Sequence, residues 1–198
     1  MMLTLKEIYG EMKNILSGFS QSHEVLNKYP WDNDLYYSDL FRWAHVEFYQ
    51  YRTADIVHCV VMPHPHDAAG IFGFDVIEIN GNRTGLFIDV TPTVGDYVHL
   101  TDKELGEPRE LPEWAAFSPS FIAVKPFDDG PEEGLNIMRK YLGTLQKNFG
   151  EPKEVLEAQQ SYCEMQRSNE KTFKMLQAHV GTEMAEEFMT TVMFPDVI

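Results

Sequence analysis

The sequence predicts an α+β protein built on a mainly antiparallel sheet, and three observations carry that prediction. Apolar residues alternate with period two through Leu40–Tyr51, Asp55–Met62, Ile71–Ile79 and Arg83–Val90. Asn80-Gly81-Asn82 separates the last two stretches as a hairpin turn. Helical periodicity appears only at the two ends of the chain, so helices flank the strands and do not alternate with them.

The first helix runs from Leu3 to Phe19, with Leu5, Ile8, Met12 and Ile15 on one stripe, and ends near Gly18. Ser20 to Asn33 is polar, contains Pro30 and reads as a connecting loop. Leu40–Tyr51 is the first strand, Arg52-Thr53-Ala54 a short connection, and Asp55–Met62 its hairpin partner. Two prolines keep Pro63–Gly70 out of a sheet interior. The third and fourth strands follow around the Asn80-Gly81-Asn82 turn. Thr91–Pro119 is irregular and charged, and Phe121–Val124 is a short fifth strand. Three helices follow: Pro131–Phe149, Lys153–His179, and Thr182–Met193 with Thr182 as its N-cap. The chain reads as one domain over residues 1–198, with helix about 3–19, sheet about 35–125 and C-terminal helices about 131–193.

The totals narrow the function. A chain of 198 residues buries roughly 70% of its unfolded surface and needs no disulfide or metal staple. Cys59 and Cys163 form no CxxC or zinc-finger spacing and read as reduced thiols of a cytoplasmic protein. No signal peptide or membrane-length apolar run is present. A formal charge of −15 excludes a nucleic-acid partner and disfavours anionic membranes.

The chemistry concentrates between Phe41 and Asp89. His45, Glu47, His58 and Asp75 sit among apolar and aromatic residues, and period-two alternation puts His45 and Glu47 on one face. Asp75 shares the face of Ile77 and Ile79. Burying such groups is unfavourable unless they are paired. A lone histidine on an apolar strand is ordinarily a satisfied core residue, but four ionisable groups within 31 residues on neighbouring strands point to proton transfer in an aromatic-lined pocket. The rival chemistry is a two-histidine, one-carboxylate metal site from His45, His58 and Glu47. His64-Pro65-His66-Asp67 lies in a proline-bound loop and reads as solvated. No phosphate-cradling loop, dinucleotide fingerprint, GxSxG elbow or HExxH helix is present, so any redox enzyme here draws its electrons from outside.

At these residues the chain resembles the ferredoxin-dependent bilin reductases. His58-Cys59-Val60-Val61-Met62-Pro63 followed by Ile71-Phe72-Gly73-Phe74-Asp75 resembles that family's His-Cys-Val-x-x-Pro and Phe-Gly-x-Asp signatures, at the same spacing. Asp89-Val90-Thr91-Pro92, Arg109-Glu110-Leu111-Pro112-x-Trp114, Asn169-x-Lys171-Thr172 and Val192-Met193-Phe194-Pro195-Asp196-Val197 also have counterparts in order, so the resemblance runs from about Phe41 to the C-terminus. It implies a three-layer α/β/α sandwich with biliverdin IXα between the sheet and the C-terminal helices. It further implies no bound metal or organic redox cofactor, reduced [2Fe-2S] ferredoxin as external electron donor, radical bilin intermediates and protons supplied by the protein.

Carried over by position, Asp75 resembles the central aspartate that protonates the bilin, His58 its partner, His45 the second histidine and Glu47 the glutamate near the D-ring vinyl group. Arg109 and Lys171 resemble the propionate anchors, as does Thr84, a small hydroxyl residue. Asn169 stands where relatives that make phycoerythrobilin carry a second catalytic aspartate. The resemblance therefore implies four-electron reduction of biliverdin to phycocyanobilin. The alternatives are the same chemistry giving phycoerythrobilin, or a bilin-binding protein without turnover. Implied partners are biliverdin, ferredoxin, and heme oxygenase or a bilin acceptor, with the enzyme a monomer. The N-terminal region is shorter than is usual in the family, and the acidic chain calls for a local basic patch to meet ferredoxin, for which Arg139, Lys140 and Lys147 are candidates, with Lys171 and Lys174 nearer the bilin.

Overall fold

The computed structural model describes residues 3–94, 121–124, 130–146 and 150–197. Among the described residues seven strands form one sheet in sequence order, and every neighbouring pair is antiparallel. They are β1 (Ser22–Val25), β2 (Asp32–Tyr37), β3 (Phe41–Tyr51), β4 (Ala54–Pro63), β5 (Ile71–Ile79), β6 (Asn82–Thr91) and β7 (Phe121–Val124). Asn80 and Gly81 both have positive φ, 52° and 71°, as a two-residue hairpin whose twist matches its strands requires.

Helix α1 (Leu5–Phe19) begins with a capping box, in which the Thr4 hydroxyl accepts from the Glu7 backbone N–H and the Glu7 carboxylate accepts from the Thr4 N–H. Its buried stripe of Leu5, Ile8, Met12, Ile15 and Leu16 packs with α2 (Gly130–Leu142) on one face of the sheet. The strands present Val46, Phe48, Val57, Cys59, Phe72, Phe74 and Ile88 to that layer. The opposite face meets α3 (Pro152–Arg167), α4 (Glu170–Val180), α5 (Thr182–Phe188) and a π-helical turn over Met189–Met193. This is the three-layer α/β/α arrangement, with one apolar core on each side of the sheet.

Four boundaries differ from the sequence reading. The stretch taken as a loop, Ser20–Asn33, contains β1 and the start of β2, so the sheet begins at Ser22 and not near residue 35. Asp and Asn disfavour strands intrinsically, and their presence in Asp32-Asn33-Asp34 masks the alternation. The segment read as one helix, Lys153–His179, breaks at Ser168-Asn169. There the Asn169 side chain accepts from the N–H groups of Lys171 and Thr172 and caps α4. Helix α2 stops at Leu142, and Gly181, not Thr182, occupies the N-cap of α5. Both cysteines are free and buried. Among the described residues no helix is long and apolar enough to cross a membrane.

Candidate functional site

Register builds the site. Asn33 pairs with Glu47, Glu47 with His58, His58 with Asp75, and Asp75 with Phe87, so one row of side chains crosses β2 to β6 on the face toward α3–α5. His45 stands two residues before Glu47 on the same face. The row needs no special backbone; it follows from the register of consecutive hairpins, whose alternation sends the intervening Val46, Val57, Phe74 and Leu86 into the other core.

His58 Nδ1 donates to Asp75 Oδ1 at 2.6 Å, and its Nε2 has no partner. Burial pulls the His58 pKa down, but the charge of Asp75, the hydrogen bond to it and the charge of Glu47 outweigh burial and leave it raised. Glu47 is 4% exposed and accepts from Trp31 Nε1 at 2.7 Å. Burial raises its pKa to about 7, against the opposing pull of His58 and the Trp31 hydrogen bond. His45 is fully buried, and its Nε2–H donates to Asn33 Oδ1 at 2.8 Å. Burial, then the charge of His58, hold its pKa well below the usual value, which makes it the neutral imidazole of the pair. The two rings lie 5.9 Å apart. One face thus carries a neutral histidine, a histidine biased toward the imidazolium, a carboxyl poised near neutrality and the Asp75 side chain, which is the equipment for moving protons.

A pocket of about 140 Å³ lies over the row. Glu47, Tyr49, His58, Asp75 and Phe87 contribute from the sheet, and Gln166, Asn169, Thr172, Met193 and Phe194 from the helices. Phe194 stands edge-on to His58, with ring centroids 6.4 Å apart. The ring of Phe87 lies across Gly85, where a Cβ would come within 2.4 Å of it, so the glycine lets this aromatic lie against the sheet.

The remaining residues singled out from the sequence are dispersed. Asn169 lines the pocket while its Oδ1 caps α4. Lys171 is exposed in the first turn of α4. Thr84 is exposed beside the β-bulge at Ile77/Glu78, where its hydroxyl reaches the Ile77 carbonyl at 3.4 Å, and it does not line the pocket. Arg109 and Lys147 lie outside the described residues. Two of the cations expected to form a basic patch are paired, Arg139 with Glu11 at 3.2 Å and Lys174 with Glu170 at 2.7 Å. In the Pro63–Gly70 loop His64 donates to the Ser38 carbonyl at 2.9 Å. Among the described residues no three His, Cys, Asp or Glu side chains converge as a metal set.

Sequence reasoning missed the supports of the row. Trp31 and Asn33, which hold Glu47 and His45, fall in the stretch read as a loop. The alternation Trp31, Asn33, Leu35 on one face and Asp34, Tyr36 on the other was the available signal. Tyr162 and Gln166 come from the helical layer and carried no motif; Phe194 stood in the quoted C-terminal motif, but only the structure sets it edge-on to His58.

Comparison with known proteins bears on the same region. A sequence profile described as ferredoxin-dependent bilin reductase matches residues 4–195, and so includes α1 as well as the sheet. The phycocyanobilin:ferredoxin oxidoreductases of a Synechococcus species and of Trichodesmium erythraeum are 31% and 30% identical; each alignment covers 82% of this chain and 75% of the relative. Among solved structures, PcyX superposes with a TM-score of 0.70 at 20% identity, over 97% of this chain and 98% of PcyX. Tomato phytochromobilin synthase in complex with biliverdin superposes with a TM-score of 0.66 at 15% identity, over 97% of this chain and 83% of that one. These two likenesses establish the fold.

Proposed function

The chain belongs to the ferredoxin-dependent bilin reductases, oxidoreductases that take electrons from ferredoxin, and from that premise we propose that it reduces biliverdin IXα by four electrons to phycocyanobilin. The observation that carries the proposal is the row Glu47–His58–Asp75 crossing three strands at the floor of the pocket. Four electrons arriving singly require four protons, and the bilin passes through radical states between them. The protein's part is to hold the tetrapyrrole against the sheet, exclude water and deliver each proton to a chosen atom.

Asp75 is the central donor, reaching the pyrrole nitrogens and lactam oxygen. His58, hydrogen-bonded to it at 2.6 Å, orients the carboxyl and shares its proton. Glu47, with its pKa near 7, is protonated in a large fraction of molecules at neutral pH and serves the D-ring vinyl group. His45 stays neutral and holds the far end of the row. Lys171 and Arg109 anchor the propionates, a role suited to permanent charge in an acidic chain. Asn169 at the pocket wall, in place of a second carboxyl group, supports phycocyanobilin as product over phycoerythrobilin.

The test is anaerobic incubation with biliverdin, reduced ferredoxin and a regenerating system, followed by product chromatography. Phycocyanobilin is the expected product. Phycoerythrobilin would overturn the product assignment alone, and binding without a ferredoxin-dependent colour change would leave a bilin-binding protein. Failure of biliverdin to bind would overturn the whole reading.

A further inference from the structure

We infer that Asp89 supplies protons to Asp75 through a single water molecule, held in a small cavity that these two carboxylates share with Tyr162 and Gln166. The inference rests on the bilin-reductase reading above and adds a residue to it. Asp75 holds one proton at a time, yet the proposed reaction consumes four. Each delivery under a bound tetrapyrrole leaves a carboxylate that must be reloaded from the protein side.

A cavity of about 30 Å³ adjoins the main pocket, lined in part by His58, Asp75, Asp89, Tyr162 and Gln166. That volume has room for a water molecule, and the lining offers more than the two polar partners a buried water needs. The cavity exists because of Gly73. This residue sits two positions before Asp75 on the same face and pairs directly with Asp89 on the neighbouring strand. With no side chain there, the space beside Asp75 and Asp89 stays open. A Cβ there would lie 3.8 Å from the Asp89 Cβ, an ordinary contact, so packing and backbone do not by themselves demand glycine. His58, 9% exposed, also lines the space, and its Nε2 is without a partner.

Asp89 is 5% exposed and accepts from the Thr91 hydroxyl at 2.7 Å. Thr91 is half-buried, and in the relay its hydroxyl is the link from the buried carboxyl toward solvent. Burial, then the charges of Asp89 and Asp75, hold the Tyr162 phenol well above its usual pKa, so it remains an O–H donor to the water throughout. In the relay the Asp89 carboxyl O–H breaks as its proton passes to the water. The water gives one of its own protons to Asp75, forming the new O–H there, and Asp89 regains a proton from solvent past Thr91. No electrons move in this step; they reach the bilin from ferredoxin. Asp89 acts through Asp75 and does not touch the substrate.

Two variants test the relay by different means. Asp89→Asn keeps size and the Thr91 contact but holds no exchangeable acid, and Gly73→Ala fills the cavity without altering any charge. Both are assayed beside the wild type in anaerobic single turnover with biliverdin and reduced ferredoxin, following radical decay by absorbance and affinity by titration. The expected result is biliverdin affinity within about twofold of wild type and radical decay slowed by about tenfold or more in both, with Asp89→Glu recovering most of the rate. A high-resolution crystal structure of the substrate-free wild type should show an ordered water between Asp75 and Asp89. A wild type that reduces biliverdin while both variants keep its rate overturns the relay alone, as does a dry cavity. A wild type that does not reduce biliverdin overturns the functional reading and the relay with it.

Discussion

Glu47→Gln isolates the energetic consequence of placing a carboxyl at the buried floor of the pocket. A glutamate's ordinary pKa of 4.5 rises here to about 7 because burial penalises the anion more than Trp31 and His58 relieve it. A folded-state pKa above the unfolded value means the native protein binds the extra proton. Stability from this group is therefore fully present below pH 4.5 and is lost as pH rises through the folded pKa near 7. The gap between 4.5 and about 7 corresponds to roughly 3 kcal/mol at 1.36 kcal/mol per unit. Glutamine preserves the shape, and its amide oxygen still accepts from Trp31 Nε1, but it does not titrate. Urea unfolding at about pH 5 and about pH 8 should show the variant gaining on wild type by roughly 2–3 kcal/mol between the two, the lower figure allowing for His58⁺ losing its negative neighbour. A stability difference that stays flat to within about 0.5 kcal/mol over that interval would refute the reasoning, because it would mean that Glu47 titrates as if solvated. In the activity assay the same variant should stall at a partly reduced bilin; an unchanged product would remove Glu47 from the D-ring step.

Other expectations follow from the same geometry. Asp75→Asn should bind biliverdin and lose most turnover, with a bilin radical accumulating in the electron paramagnetic resonance spectrum; a normal rate would rule out Asp75 as central donor. Asp34 is fully buried beneath α1, where it accepts from Tyr9, from His23 at 2.5 Å and from Lys13 at 2.9 Å. Burial acts to raise its pKa, but these partners prevail and hold it below 3.8, so its stabilisation is present above that value and lost as pH falls. Asp34→Ala should therefore cost about 3 kcal/mol at neutral pH by urea unfolding, and less in acid. Asn169→Ala should lose about 1 kcal/mol by removing the α4 cap, while Asn169→Asp keeps the cap and should shift product toward phycoerythrobilin, a pairing that separates the structural role from the pocket role.

The chemistry of the site was legible in the sequence to the extent that it was local. His45, Glu47, His58 and Asp75 lie on strands whose alternation and hairpin turns fix their faces, so their convergence follows from periodicity and register. The resemblance to a family added the ligand and the electron donor, which no pattern of residues could name. What stayed hidden depended on contacts distant in sequence. Trp31 and Asn33 lie in a segment whose Asp, Asn and Pro content argues against a strand; Asn33 adopts one because β3 offers an edge, and just before it α5 covers Trp31, whose indole packs edge-on against Phe188 with centroids 4.9 Å apart. The break at Ser168-Asn169 escaped notice because asparagine in a helical run reads as a weak helix former, whereas here it is a cap. Asp89 and Gly73 stood in the quoted motifs, yet their facing one another across β5 and β6 required the register.

The two faces of the sheet divide the work that one core could not do. On the α1–α2 side strands β3–β6 contribute a continuous apolar surface, from Val46 and Phe48 through Phe72 and Phe74 to Ile88, and this side holds the larger apolar cluster. That surplus allows the same strands to carry His45, Glu47, His58, Asp75 and Asp89 on their other face, where each group weakens the packing against α3–α5. The pocket beneath those helices, about 140 Å³, is well short of the roughly 300–1,000 Å³ of ordinary ligand sites. The less apolar interface is the one freer to open for a ligand larger than that volume. The hinges are at hand in the Ser168-Asn169 break and the π-turn that delivers Met193 and Phe194 to the pocket. Hydrogen exchange should accordingly show α4 and the Met189–Met193 turn opening well before α1 and β3–β5, and biliverdin should slow exchange in that layer alone; uniform protection across both layers would mean that the polar face weakens nothing.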